Sequence, residues 1–291
     1  MRLSCTSFSF PLLPFETSLR QIRLLDIPNV DLGAHADGRH LQPARIEADP
    51  LGEADRVRRA AEIAGIGVAD LFPTFGVGFR DRPVNTPDPA TRAANRARFR
   101  AFVEFARLVE ASGITLLPGV VFEELGPDRS FDLSREALAE LVEIGRGAGL
   151  RVSVEAHLES VVELPERALA LVQAVPGLQL TLDYSHFIAG GVPAERVHPL
   201  IPYAGHFHAR QAAPGHLQRA HDQGVIDFGD ILRRLADAGY DGYLCVEYTW
   251  QEWRGCNTED VVSETILLRD QLRALAAGLP IANPPTPTGT A

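Results

Sequence analysis

Short apolar runs alternate with longer amphipathic segments along most of the chain. Each run has the length of a buried strand, and the longer segments carry apolar residues at the three- and four-residue spacing of a helix. Phe99, Phe102, Val103 and Ala106, for example, share one face of the predicted helix Ala90–Ala111. Continuous apolar strands that alternate with helices are typical of a parallel sheet covered by helices.

Eight segments have the character of strands, and a predicted helix follows each of them. The predicted strands are Arg2–Phe8, Asn29–Ala34, Ile66–Phe72, Ile114–Val121, Arg151–Glu155, Leu178–Asp183, Tyr203–His208 and Tyr243–Glu247. The predicted helices are Glu16–Leu25, Glu53–Ala64, Ala90–Ala111, Asp132–Gly147, Leu164–Val175, Pro193–Leu200, Phe228–Ala238 and Thr258–Ala276. Pro73–Pro89 and Ala209–Val225 are predicted loops, and Asp227 is placed to cap the helix that follows it.

Eight strand–helix units in one chain favour an α/β fold built as a single closed (β/α)8 TIM barrel. A doubly wound open sheet is the alternative. It would require a Gly-rich phosphate loop after the first strand, and the sequence SFSFPLLPF has none. We interpret residues 1–279 as the barrel domain and the Pro-rich residues 280–291 as a disordered or strapped tail.

Composition restricts the partners and the compartment. The 291 residues are 45% hydrophobic and 23% charged, as in an ordinary globular protein, and the net charge of −10 disfavours a nucleic-acid partner. The three cysteines have neither zinc-type nor redox-type spacing, which fits a reducing compartment. The first residues make a poor signal peptide, and no apolar run reaches the roughly 18 residues of a membrane span. We therefore expect a cytoplasmic protein without a membrane partner.

The chemistry that the sequence suggests lies at the ends of strands five to eight. Glu155, Asp183, His208 and Glu247 each follow an apolar run. Buried acidic groups need a partner, and in a barrel the carboxyl ends of neighbouring strands meet on one face. Three carboxylates and one imidazole form a hard, oxygen-rich set that suits one divalent metal ion, Mn²⁺, Co²⁺ or Mg²⁺, with Zn²⁺ also compatible.

Such a site supports proton transfer next to a carbonyl group. A metal ion offsets the negative charge of an enediolate, and a carboxylate beside it can act as the base. Two such carboxylates on opposite sides of a substrate permit removal of a proton from one face and its return on the other. Glu155 and Glu247 have the potential for that geometry and are the candidate catalytic residues. Side chains two residues from a ligand on a strand point in the same direction. The candidates for contact with the substrate are His35, His157, His186, His206, Arg210 and Trp250. Core packing, loop and rim roles remain open for each of these six.

Four motifs, VEAH, LDYSHFIAGG, HFHAR and the pair IDFGDIL and GYLCVE, resemble the xylose-isomerase-like TIM-barrel superfamily. That superfamily holds sugar isomerases and epimerases and the metal-dependent apurinic endonucleases. The resemblance implies a metal held by Glu155, Asp183, His208 and Glu247, proton transfer by the two glutamates, and a substrate oxygen bound by His186. It implies a metal-dependent isomerase or epimerase of a ketose or polyol, with a small polyhydroxylated substrate. By analogy with other barrels of the superfamily, the resemblance is also compatible with a homo-oligomer.

The match is incomplete in two places, which keeps three alternatives open. The run ARQAAPGHLQR lacks the arginine spacing of ketose 3-epimerases, so a metal-dependent dehydratase or lyase of a cyclic polyol is one alternative. Leu117 stands where the endonucleases carry a histidine before Pro-Gly, which disfavours the second, an apurinic endonuclease-like phosphodiesterase. The third alternative is a non-catalytic ligand-binding barrel.

Overall fold

A computed structural model describes residues 1–278, which form a closed barrel of eight parallel strands. The strands are β1 (Arg2–Thr6), β2 (Asn29–Ala34), β3 (Gly67–Pro73), β4 (Gly113–Leu116), β5 (Arg151–Glu155), β6 (Leu178–Asp183), β7 (Ala204–Ala209) and β8 (Tyr243–Val246). They pair in chain order, and β8 closes the barrel against β1. The predicted (β/α)8 TIM barrel is confirmed.

Helices surround the barrel. They are α1 (Phe15–Leu24), α2 (Pro43–Ala48), α3 (Pro50–Ala64), α4 (Pro89–Leu108), α5 (Gly126–Gly147), α6 (Pro165–Ala174), α7 (Tyr184–Ala189), α8 (Ala194–Val197), α9 (Phe228–Asp237) and α10 (Val261–Ala276). The predicted stripe of α4 is buried, with Phe99 and Phe102 fully enclosed. The predicted cap of α9 is present, because the Asp227 carboxylate accepts a hydrogen bond of 3.0 Å from the Asp230 N–H.

Several predicted boundaries were wrong, most clearly that of the fourth strand. β4 ends at Leu116 rather than at Val121, although the sequence stays apolar between them. Pro118 has no N–H to donate to a neighbouring strand, and Gly119 takes a φ of 99°, which turns the chain away from the barrel. In β1 the ladder stops at Thr6 because a 3₁₀ turn, Ser7–Ser9, follows at once.

Helical boundaries also differ from the prediction. α5 begins at Gly126 rather than at Asp132. The predicted helix Pro193–Leu200 is the single turn α8 followed by a 3₁₀ helix, His198–Tyr203, since Pro199 and Pro202 interrupt the α-helical hydrogen bonds. The short helices α2 and α7 fall in stretches where the sequence predicted no helix.

Polar side chains fill the middle of the barrel, where branched apolar residues are usual in this fold. Thr115 donates a 2.5 Å hydrogen bond to Asp70 on β3, and its hydroxyl lies 2.6 Å from that of Thr181 on β6. The other oxygen of the Asp70 carboxylate is met by the guanidinium of Arg151. This middle layer also contains three further buried residues: Asp31, His206 and Cys245.

Two shifts of strand register lie beside this layer. Between β2 and β3, Val30 pairs with Val68 but Asp31 pairs with Asp70, so one residue of β3 is skipped. Between β6 and β7 the pairing likewise passes over Gly205. A bulge of this kind re-aims the side chains that follow it.

The predicted tail, residues 280–291, lies outside the described residues, so the predicted domain boundary after residue 279 stays a prediction. Among the helices of residues 1–278, none has both the length and the apolar character that crossing a membrane requires.

Candidate metal centre and active site

The four predicted metal ligands lie at the carboxyl ends of four consecutive strands. Glu155 and Asp183 are the last residues of β5 and β6, and His208 lies near the end of β7. Glu247 follows β8 directly, and its N–H still donates to the carbonyl of Ala209, 2.9 Å away. All four side chains are buried. The barrel therefore brings together groups that lie far apart in the sequence.

Three of the ligand atoms converge on one point. The His208 Nδ1 atom lies 2.7 Å from a carboxylate oxygen of Glu155 and 3.1 Å from one of Glu247. These three donor atoms all lie within 4.8 Å of one another, and a second group with the same property joins Glu155 to Asp183 and His186. Two carboxylate oxygens and one imidazole nitrogen are a donor set that suits a divalent metal ion. On binding, the ion would displace the proton of the imidazole.

Arg210 is buried among the same carboxylates. Its guanidinium donates a 2.8 Å hydrogen bond to Asp183 and lies 3.4 Å from Glu247, while its Nε donates to the Ser185 hydroxyl at 2.8 Å. The carboxylates of Glu155, Asp183 and Glu247 thus face one permanent positive charge. Buried charge of one sign is costly unless it is compensated. One divalent cation would supply the missing positive charge, so these residues fit such an ion.

The electrostatics of the cluster agree with that balance. Burial alone would lower the pKa of His208, but the charges of Glu247 and Glu155 outweigh it and raise this pKa well above 6.5. Burial and the charge of Glu247 raise the pKa of Glu155 to about 7. Burial acts in the same direction on Glu247, yet the positive charges of Arg210 and His208 lower its pKa below the ordinary value. In the metal-free protein the proton on His208 therefore supplies the positive charge that a bound metal ion would otherwise supply.

His186 stands beside the ligands in the first turn of α7. The Asp183 carboxylate accepts a 2.8 Å hydrogen bond from the N–H of Ser185, and this cap starts the helix immediately after the ligand. The His186 Nε2 atom lies 3.7 Å from Asp183 and 4.0 Å from Glu155. Burial and the nearby charge of Arg210 hold the pKa of His186 well below 6.5, so its ring is neutral at pH 7.

A cavity of about 540 Å³ opens above these side chains. It contains five of the six predicted substrate contacts: His35, His157, His186, Arg210 and Trp250. The Nδ1–H of His157 donates to the carbonyl of Leu158 at 2.6 Å, and burial lowers the pKa of His157 to about 4. Its Nε2 is therefore left as an acceptor of hydrogen bonds.

Aromatic rings form one wall of the cavity. Phe79, from the predicted loop after β3, lies 4.5 Å from the His157 ring and 5.3 Å from that of Trp253. Across the cavity His35 packs between Phe8 and a second phenylalanine, Phe72, at 4.8 and 5.5 Å. Trp250 stands at the rim and is 40% exposed. Such walls suit the carbon faces of a small molecule, while the imidazoles and carboxylates suit its oxygens.

The sixth predicted contact, His206, has a different place. It lies below the ligands in the middle layer, fully buried, where its Nε2 is hydrogen-bonded to Asp31. Sequence reasoning passed over Asp31 itself and gave Phe79 no role. An aspartate inside the short buried strand NVDLGA was the available signal for Asp31, since an acid there needs a buried partner.

Comparison with known proteins agrees with this architecture. Residues 25–272 match the family model described as xylose isomerase-like TIM barrel. The chain belongs to this family. A mouse protein named "Putative hydroxypyruvate isomerase" is 25% identical over 243 residues, which span 77% of this chain and 85% of the mouse protein.

Solved structures of other barrels show the same fold as this xylose isomerase-like protein. A D-psicose 3-epimerase from Clostridium cellulolyticum H10, solved with D-tagatose, superposes with a TM-score of 0.74 at 15% identity, covering 94% of this chain and 99% of the other. A xylose isomerase-like protein from Mycobacterium smegmatis, solved with magnesium, gives a TM-score of 0.69 at 17% identity, covering 91% and 89%. The family relationship inferred from the sequence motifs is confirmed, and distant relatives include sugar isomerases and epimerases.

Proposed function

We propose that this protein is a divalent-metal-dependent isomerase or epimerase of a small polyhydroxylated carbonyl compound. The observation that carries the proposal is the convergence of Glu155 and Glu247 on His208 Nδ1 at the floor of the cavity. Glu155, Asp183, His208 and Glu247 would hold the ion. Bound there, a divalent cation would polarise the substrate carbonyl and offset the charge of an enediolate.

The two glutamates are the proposed proton carriers. They approach His208 from different strands, β5 and β8, and a substrate carbon bound above them would lie within reach of both carboxylates. One carboxylate would remove the proton next to the carbonyl, and the other would return a proton from its own side. Return to the same carbon from the opposite face gives an epimer, whereas return to the neighbouring carbon gives an isomer.

Other residues of the cavity would orient the substrate. Arg210 is fixed by Asp183 and Ser185, so its charge stands ready beside the oxygens on which the negative charge of an enediolate develops. The neutral ring of His157 offers its Nε2 atom to a hydroxyl group. His186, whose Nε2 atom lies 3.1 Å from the guanidinium of Arg210, would bind a substrate oxygen together with that arginine. Phe79 and Trp253 would cover the carbon face and keep water from the reacting carbon.

Exchange of substrate hydrogen with solvent tests the proposal across several classes of sugar at once. The Mn²⁺-loaded protein is incubated in D₂O with a panel of ketoses, keto-polyols and hydroxypyruvate. We expect deuterium at the carbon next to the carbonyl of one class, detected by mass spectrometry and NMR. Loss of water from a cyclic polyol would instead identify a dehydratase. Release of phosphate-ended DNA fragments from an abasic duplex would identify the nuclease alternative.

Conservative variants assign the proton carriers. Glu155→Gln and Glu247→Gln keep the size of each side chain and remove the base, so each should lower the exchange rate by about 10²-fold or more. Circular dichroism should show an unchanged fold. Glu163→Gln is the matched control, because Glu163 lies in the loop after β5 outside the cavity. Exchange at the wild-type rate in either active-site variant would refute the two-base mechanism.

A further inference from the structure

We propose that Asp31 is a positioning residue: its carboxylate holds the metal-binding face of His208 toward the cavity, and His206 anchors that carboxylate from below. This inference deepens the proposed function, on which it rests, because it assigns a support to the proposed metal ligand. The juxtaposition that carries it is a buried aspartate on β2 facing two histidines on β7 across the barrel.

The contacts fix which nitrogen of His208 is free for a metal. The Nε2 atom of His208 lies 3.4 Å from an oxygen of Asp31, while Nδ1 points to Glu155 and Glu247. The 3.4 Å separation is a charge contact, and Nε2 has no other partner among the described residues. When the neutral ring keeps its proton on Nε2, beside the Asp31 carboxylate, the lone pair of Nδ1 is left for the ion. A metal-bound histidine commonly donates its other N–H to a carboxylate, which fixes the ring and makes it a better ligand.

His206 gives the carboxylate a fixed place. Its Nε2 atom lies 2.5 Å from the same Asp31 oxygen that faces His208. Asp31, His206 and His208 are each at most 1% exposed, so bulk solvent does not reach these contacts. A side chain held by a hydrogen bond in a closed interior has little rotational freedom, so the Asp31 carboxylate stays beside the Nε2 atom of His208.

Both ends of this contact depend on the two register shifts. The skipped residue of β3 brings Asp31 into register with Asp70, and the passage over Gly205 brings His206 and His208 opposite Thr181 and Asp183. A Cβ atom at Gly205 would lie 2.3 Å from the Gln179 side-chain oxygen and 2.5 Å from Cδ of Arg151. Glycine is therefore the residue that lets β7 pass this point.

Asp70 provides a matched control in the same layer. It is as buried as Asp31 and is its partner in register, and it too is paired with a cationic side chain, that of Arg151. Its contacts are with Thr115 and Arg151 rather than with His208. Replacing either aspartate removes one buried charge from one layer, but only one of them supports the proposed metal ligand.

The experiment measures Mn²⁺ and Co²⁺ binding to wild type, Asp31→Asn and Asp70→Asn. We expect Asp31→Asn to weaken the Mn²⁺ Kd by about 10–100-fold and to shift the visible absorption bands of bound Co²⁺. Asp70→Asn should keep the wild-type Kd within about threefold and the wild-type spectrum, whatever its thermal stability. His206→Gln, which removes the anchor but leaves the carboxylate, should weaken binding by a smaller factor and serves if Asp31→Asn does not fold.

The outcomes separate this inference from the proposed function. Wild-type affinity and an unchanged Co²⁺ spectrum in Asp31→Asn and His206→Gln would overturn the inference alone. Equal loss in Asp70→Asn would show a general effect of buried charge and would overturn it as well. If the Asp31 effect is found while no substrate exchanges deuterium, the support of His208 stands and the proposed reaction fails. Absence of metal binding by wild type would overturn both.

Discussion

Raising the pH from 7 to 8 should destabilise the metal-free protein, because His208 is protonated in the folded chain and neutral in the unfolded one. Burial lowers the pKa of His208, but the negative charges of Glu247 and Glu155 have the larger effect and raise it well above 6.5. A group whose pKa is raised on folding stabilises the fold below its unfolded pKa and loses that effect as the pH rises. With one extra proton on the folded state, the loss is about 1.4 kcal/mol per pH unit.

Glu155, His157 and His186 add little to the dependence of stability on pH between pH 7 and 8. Glu155 contributes with the same sign, but its effect is mostly lost by the time the pH passes about 7, the value of its folded pKa. His157 and His186 have lowered pKa values and are neutral in both states above pH 7. For a chain of 291 residues the expected decrease in Tm is about 2 °C between pH 7 and 8.

A bound metal should abolish that slope, since it takes the place of the His208 proton. At 100 times its Kd, Mn²⁺ should add about 2.7 kcal/mol of stability and leave Tm nearly level from pH 7 to 8. Differential scanning calorimetry measures Tm, and titration calorimetry in two buffers of unlike ionisation enthalpy counts the released protons, which should number about one.

Two variants control this prediction. His208→Gln should lose the pH slope and the metal effect together, whereas His216→Gln, in an exposed loop, should keep both. Parallel Tm curves with and without Mn²⁺, or binding without proton release, would refute the reasoning.

Two further predictions concern the ligands and the barrel. Asp183→Asn keeps the cap on α7 but removes a charge that the metal needs, so Mn²⁺ affinity should fall by about tenfold or more. Elemental analysis after dialysis should find about one equivalent of metal in wild type and less in the variant. Full retention of metal in the variant would exclude Asp183 as a ligand. Gly205→Ala should cost about 1–3 kcal/mol in urea unfolding, because its Cβ would meet Gln179 and Arg151. Gly147→Ala, where nothing lies within 4 Å of the added atom, is the control and should cost nothing; equal effects would contradict the steric argument.

The sequence was sufficient for the barrel because each strand is an apolar run and each long helix shows one apolar face. Strand four was extended too far since Leu117, Val120 and Val121 continue the apolar run, although Pro118 and Gly119 end the ladder. The helix α7 was missed for the opposite reason. Its six residues, YSHFIA, are nearly all buried, so no polar face marks the helical period.

The candidate ligands were predictable because each ends a strand, and strand ends meet in this fold. The contact between Asp31 and His206 was not, since 175 residues separate the two in the chain. It depends on bulges that skip one residue in β3 and one in β7, and no local pattern in the sequence announces them. The position of Phe79 could not be predicted for a related reason, because the sequence of a loop rich in Gly and Pro does not indicate what its tip contacts.

The polar middle layer of the barrel has a consequence for how this protein can change over evolution or in the laboratory. Each of Asp31, Asp70, Thr115 and Thr181 has its partner on another strand, so replacing one leaves the other unsatisfied in a dry interior. Few substitutions in this middle layer are therefore available for adapting the protein to a new substrate. Variation should instead accumulate in the loops that carry Phe79 and Trp253, and a mutant library directed there would retain the most folded members.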